Sequence, residues 1–94
     1  EHETSRELGH WLRAHKRNTD IVGYLGNARY IVIMPETAAS HVAGFVQRLY
    51  QDVPNADIGV GAFPRDGSTY EALYAAAVAR LGAREGGGRV AEAA

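Results

Sequence analysis

The chain has no cysteine, so it can build neither a disulfide framework nor a thiolate-ligated metal site, and its redox compartment is left open. No apolar run approaches the roughly 20 residues that a membrane span requires, and no signal-peptide pattern is present. Charge of one sign is also lacking: 10 Lys and Arg against 11 Asp and Glu leave a net charge of -1, with no overall pull toward nucleic acid or an acidic membrane surface. Prolines number only 3, and no internal repeat or low-complexity linker divides the chain. With 94 residues, 46% of them hydrophobic, residues 1–94 are expected to form one compact domain near the small end of what a single core supports. The chain begins at Glu1 rather than at methionine, which implies a piece of a longer protein carrying other domains. A soluble, cytoplasmic regulatory domain is the expectation, with no nucleic-acid partner and no membrane insertion.

What is present is alternating helical and extended patterning. Thr4-x-x-Glu7 has the form of a capping box, and Leu8, Trp11, Leu12 and His15 then recur on one helical face, which predicts a helix ending near Lys16 to Asn18. Two apolar runs, Ile21 to Leu25 and Tyr30 to Met34, flank Gly26-Asn27-Ala28-Arg29 and read as a β-hairpin, since Gly and Asn accept positive φ cheaply. Thr37 is expected to cap a second helix over Ala38 to Gln51, with Val42, Phe45, Val46 and Leu49 buried. Ile58 to Phe63 reads as a third strand whose alternating Gly59 and Gly61 fit close crossing by a helix or a neighbouring backbone. Pro64-Arg65-Asp66-Gly67 is a turn, and Ser68-x-x-Glu71 starts a third helix expected to run to about Arg84. Gly86-Gly87-Gly88 ends it, and Arg89-Val90-Ala91 is expected to add a short edge strand. The order α-β-β-α-β-α predicts an α/β domain with a mostly antiparallel sheet.

Three stretches share a pattern with one family. Asp20-Ile-Val-Gly-Tyr-Leu-Gly26 and Tyr30-Ile-Val-Ile-Met-Pro35-Glu-Thr37 flank the hairpin tip much as in D-x-V-x-R-Y-G-G-D-E-F-x-V-L-L-P-x-T. Ile58-Gly-Val-Gly61-Ala-Phe-Pro64-Arg-Asp66-Gly67 is similar to S-I-G-V-A-x-Y-P-x-D-G. Tyr70-Glu-Ala-Leu73, Ala76 to Arg84 and Gly87-Gly88-Arg89-Val90 follow the closing helix and terminal G-x-x-R-V. The chain thus resembles a degenerate GGDEF (diguanylate cyclase-like) domain over nearly its whole length. The resemblance implies a nucleotidyl-cyclase-like sandwich, related to ferredoxin-like folds, with helices packed on a mostly antiparallel sheet.

The departures bear on chemistry. At the signature, Gly26, Asn27, Ala28, Arg29 and Tyr30 stand where the family has G-G-D/E-E-F. A methyl in place of a metal-facing carboxylate removes an oxygen ligand that hard cations require, and the Arg29 guanidinium adds positive charge where dications would sit. Ala77 and Arg84 replace the usual Asp and Lys of the closing helix. The family's first strand and helix, which supply another metal-binding Asp, have no counterpart here, so Tyr30–Met34 and Ile58–Phe63 must pair directly or a partner chain must fill the gap. The expectation is a non-enzyme with no catalytic residue, metal or cofactor.

Arg17-Asn-Thr-Asp20 matches the R-x-x-D motif that members binding cyclic di-GMP at an inhibitory site carry at this offset from the signature, and Arg48 falls where the family often has a further arginine. The chemistry suits the ligand: an Arg fork donates to the O6 and N7 edge of guanine and pairs with phosphate, while a carboxylate accepts from N1–H and N2–H. Arg13 and Lys16 add to the field. Arg17 and Asp20 equally read as an ordinary ion pair at a helix end. The resemblance therefore implies cyclic di-GMP binding through Arg17, Asp20 and Arg48. The alternative is an interaction or dimerisation module without nucleotide, acting on a protein partner or as a homodimer. His2, His10, His15 and His41 do not have metal-ligand spacing, Trp11 reads as core, and Ser40 and Ser68 lack base and acid partners.

Overall fold

The computed structural model describes residues 2–82. The elements run α1 (His2–His15), β1 (Ile21–Gly26), β2 (Arg29–Met34), α2 (Ala39–Asp52), β3 (Asp57–Ala62) and α3 (Tyr70–Ala79), which makes an α/β fold. The expected edge strand over Arg89-Val90-Ala91, the triglycine Gly86-Gly87-Gly88 and Arg84 lie outside the described residues.

The sheet has the order β1-β2-β3. β1 and β2 form the antiparallel hairpin, with Val22 opposite Val32 and Tyr24 opposite Tyr30. β2 and β3 are parallel, with Tyr30 beside Ile58 and Met34 beside Ala62. The expectation of a mostly antiparallel sheet is thereby corrected to a mixed one. The reason is topological: α2 carries the chain back across one face, so β3 starts at the same end as β2, and the two pair directly. β2, central in the sheet, is accordingly buried from Ile31 to Met34 with no polar alternation.

Two helices cover one face. Leu8, Trp11 and Leu12 of α1 and Phe45, Val46 and Leu49 of α2 pack with Val32, Met34, Ile58 and Val60. Trp11 meets Phe45 edge-on at 5.3 Å and donates its indole N–H to the Asp52 carboxylate at 2.7 Å, which makes it a core residue with a satisfied polar end. His15, expected on the buried face, is exposed and stacks on Trp11 instead.

On the other face α3 is the one helix among the described residues, with Leu73 and Ala77 against Ile31 and Ile33. Gly59 and Gly61 make this possible. A methyl on either would overlap the carbonyl oxygen of Ala77 or Leu73, so the helix backbone rests directly on β3. The glycine alternation was legible in the sequence, and this is its cause.

Several helix ends differ from expectation. α1 begins before Thr4, which is therefore inside the helix rather than at its cap. The α2 N-cap is Ala38, which has no side-chain cap bond, because the Thr37 hydroxyl is used elsewhere. Thr69 rather than Ser68 caps α3, accepting from the Ala72 amide at 3.1 Å. α3 stops at Ala79, and Gly82 adopts φ 79 just beyond.

The two sheet edges are unlike. Along β3 the Val60 carbonyl accepts from Arg65 at 3.2 Å and Arg80 at 2.9 Å, the Ala62 amide donates to Asp66 at 2.9 Å, and the Ile58 amide donates to the Tyr50 hydroxyl at 3.4 Å. Side chains thus occupy the groups another strand would need. From Ile21 to Tyr24, β1 has no such covering among the described residues and has no charged side chain.

Candidate functional site

The junction of α1 and β1 is built around Asp20. The last helical turn closes with the Lys16 amide on the Leu12 carbonyl, after which the chain must reverse to enter β1. Asp20 makes that reversal. Its Oδ2 accepts from the Arg17 amide at 2.9 Å and from Arg17 Nε at 3.4 Å, and its Oδ1 accepts from Arg17 Nη2 at 3.1 Å. Lys16 Nζ donates to the Arg17 and Asp20 carbonyls, both at 3.1 Å.

The structure therefore brings Arg17 and Asp20 together, but with unequal access. The Asp20 side chain is 1% exposed and both of its oxygens are engaged, whereas the Arg17 side chain is 40% exposed. Arg17 also donates to the Thr37 hydroxyl, which in turn donates to the Pro35 carbonyl at 2.8 Å. Thr37, in the position of a cap for α2, is instead a third member of this cluster. Its burial beside Pro35 is a tertiary consequence with no local signal. The latch ties the α1–β1 junction to the β2–α2 junction. Arg48 is exposed on α2 and is not among the partners of this pair; its guanidinium lies back along its own helix, with Nη1 3.9 Å from where a Gly44 methyl would sit.

At the hairpin tip, Gly26, Asn27 and Ala28 have φ of 84, 55 and 60. Glycine and asparagine enter this left-handed region readily, whereas Ala28 does so against its Cβ. Arg29 folds over the turn, donating from Nε to the Gly26 carbonyl at 3.3 Å and from Nη2 to the Leu25 carbonyl at 3.4 Å. Tyr30 meets Tyr24 with centroids 4.9 Å apart and ring planes tilted by 42°, and its hydroxyl donates to the Ser5 carbonyl of α1 at 3.3 Å. The tip thus presents a guanidinium and amide groups, with no carboxylate from residues 26–30.

A second charged cluster sits at the covered edge of β3. Arg65 and Arg80 both pair with Asp66, at 2.6 and 2.8 Å. Burial alone would raise the Asp66 pKa, but hydrogen bonds from Arg65, Arg80 and the Ala62 amide outweigh it and hold the carboxyl down at about 2. Among the described residues its partners are β3 and the turn after it, so the cluster ties α3 to that edge of the sheet.

No protein-family model, curated protein or solved structure matches the chain. Among the described residues no group of three or more His, Cys, Asp or Glu is placed to hold a metal ion, and no helix is long and apolar enough to cross a membrane.

Proposed function

We propose that this chain is a catalytically inactive, GGDEF-like module that acts by association, docking against a second copy of itself through α3 and the neighbouring face of β1. The observation that supports this reading is the composition of α3 set against its surroundings. Tyr-Glu-Ala-Leu-Tyr-Ala-Ala-Ala-Val-Ala holds one charge, and a helix apolar nearly all round belongs in an interior. Among the described residues only the side carrying Leu73 and Ala77 is covered; Tyr70, Tyr74 and Val78, one turn apart, are exposed.

The direction of that exposed flank follows from helix geometry. Arg80 reaches the outer edge of β3, and Ala72 lies against Gly67, so the flank of Ala72, Ala76 and Arg80 faces that way. Tyr70, Tyr74 and Val78 lie on the opposite flank, toward β1, where Ile21 is also exposed. An antiparallel copy of α3 laid there about a dyad at Tyr74 sets each Tyr70 against the other chain's Val78, bulky against small. Each helix then fills the space above the other chain's β1.

Sedimentation equilibrium tests this. A dimer that Tyr74→Lys dissociates at least tenfold supports the reading, and a parent that stays monomeric up to millimolar concentration ends it.

A second reading, cyclic di-GMP binding through Arg17, Asp20 and Arg48, is favoured by one observation: Arg17 is held in place by Asp20 and Thr37 yet keeps an exposed side, a preorganised donor for guanine or phosphate. Asp20 would join it only if Arg17 moved off the carboxylate. Calorimetric titration with cyclic di-GMP decides: saturable heat that Arg17→Ala and Arg48→Ala abolish supports it, and the absence of saturable heat in the parent ends it. Product formed from GTP with magnesium or manganese would overturn the inactive assignment.

A further inference from the structure

The basic residues of the chain are not spread evenly. Arg6, His10, Arg13, Lys16 and Arg17 follow one another along α1 and its end, while the net charge of the whole chain is -1. Arg6, His10 and Arg13 recur at helical spacing and so share one side of α1. That side borders a cavity of about 330 Å³, lined by Ser5, Arg6, Gly9, His10, Arg13 and Tyr30, with no acidic side chain among them. A smaller cavity of about 140 Å³, bounded also by Gly9, Arg13 and Tyr30, continues it toward Leu12, Lys16 and Val22.

Three features separate this groove from an ordinary solvated helix face. Arg17, Arg65 and Arg80 are each taken up by a carboxylate of the fold, whereas Arg6 and Arg13 have no ion pair among the described residues. Gly9 lies between them on the groove floor, and a methyl there would meet the Tyr30 hydroxyl at 2.7 Å, so the missing side chain lets the phenol reach α1, where it donates to the Ser5 carbonyl at 3.3 Å. The extension past Tyr30 is lined by Leu12 and Val22, giving an apolar seat beside a cationic one.

We infer that this groove binds a soluble phosphomonoester, its phosphate held between Arg6 and Arg13 above Gly9, and its organic group seated against Val22 and the Tyr30 ring. Guanidinium groups match phosphate oxygens in paired hydrogen bonds, and two unpaired arginines with no acidic side chain lining the cavity between them favour a dianion over a carboxylate. The main cavity is larger than a phosphate alone requires. The inference is independent of the docking reading, since α1 and α3 lie on opposite faces of the sheet.

The test is a calorimetric titration of the full chain with phenyl phosphate, with inorganic phosphate, and with vesicles containing phosphatidic acid. Phenyl phosphate is expected to bind at least tenfold more tightly than inorganic phosphate. Arg6→Gln and Arg13→Gln should each weaken it about tenfold, Gly9→Ala should weaken it by pushing Tyr30 off the floor, and Gln47→Ala, on the exposed face of α2, should leave it unchanged. Circular dichroism melts of the glutamine variants, whose sites are exposed, confirm that folding is kept. Binding that is equal in the parent and in the Arg6→Gln/Arg13→Gln double variant overturns the proposal, as does association with vesicles but not with phenyl phosphate.

Discussion

Arg80, just past the end of α3, donates from Nη2 to Asp66 Oδ1 at 2.8 Å, while Arg65 Nη2 holds the other oxygen at 2.6 Å. The pair fastens α3 to the turn after β3, and it sets a pH signature. The folded carboxyl has its pKa at about 2 against 3.8 for the free side chain. A depressed folded-state value contributes stability that is complete above the free value and is lost as pH falls from 3.8 toward about 2. Asp66→Asn should therefore cost about 2 kcal/mol at pH 7 and close to nothing near pH 2. Urea denaturation of parent and variant at the two pH values measures the difference, and an equal gap at both would refute the assignment.

The contact of α3 with β3 should be intolerant of the smallest side chain. Gly61→Ala drives a methyl into the Leu73 carbonyl and Gly59→Ala into that of Ala77, both backbone atoms that cannot rotate away. Each is expected to cost about 3 kcal/mol, through displacement of the helix. Thermal unfolding checks this, with Gly44→Ala as the control, since the nearest atom there is the flexible Arg48 guanidinium.

Asp20 and Arg17 should respond very differently to truncation. Asp20→Ala strips a buried acceptor from the Arg17 amide and guanidinium, with an expected loss of about 2 kcal/mol. Arg17→Ala leaves a carboxylate still bonded to a backbone amide and opens it to water, and should cost no more than about 1 kcal/mol. Chemical denaturation of the two variants gives the ratio. Similar losses would mean that the pair is not organised around the carboxylate.

Ala28 is held at φ 60, where an L residue pays about 1–2 kcal/mol. Ala28→Gly removes that penalty and adds roughly 0.4–1 kcal/mol of unfolded-state entropy. A net gain of about 0.5 kcal/mol is expected in the urea midpoint. A marked loss would show instead that the buried methyl contributes more to packing than the backbone conformation costs.

Much of the architecture could be read from residue patterns. The hairpin followed from β-branched runs around Gly26-Asn27, α2 from its Val42, Phe45, Val46 and Leu49 stripe, and the backbone crossing at β3 from Gly59 and Gly61. Direct pairing of β2 with β3 was one of two expectations, but its parallel direction could not be read, because it follows from the return of α2 across one face and not from any local run. Thr37 misled for a related reason: a hydroxyl before a helix is a good cap in isolation, yet here Arg17 and the Pro35 carbonyl compete for it and win. At the candidate site, R-x-x-D correctly placed Arg17 beside Asp20, but its spacing says nothing of which partner faces solvent. The groove along α1 was visible only as scattered basic residues, since the opening at Gly9 depends on a tyrosine from a distant strand.

The covered margin of β3 has a consequence for aggregation. Strand-by-strand growth into a fibre needs two receptive margins on every unit, one to accept and one to offer. Here Arg65, Asp66, Arg80 and Tyr50 have closed one of them, so any chain that adds along β1 caps the stack instead of extending it.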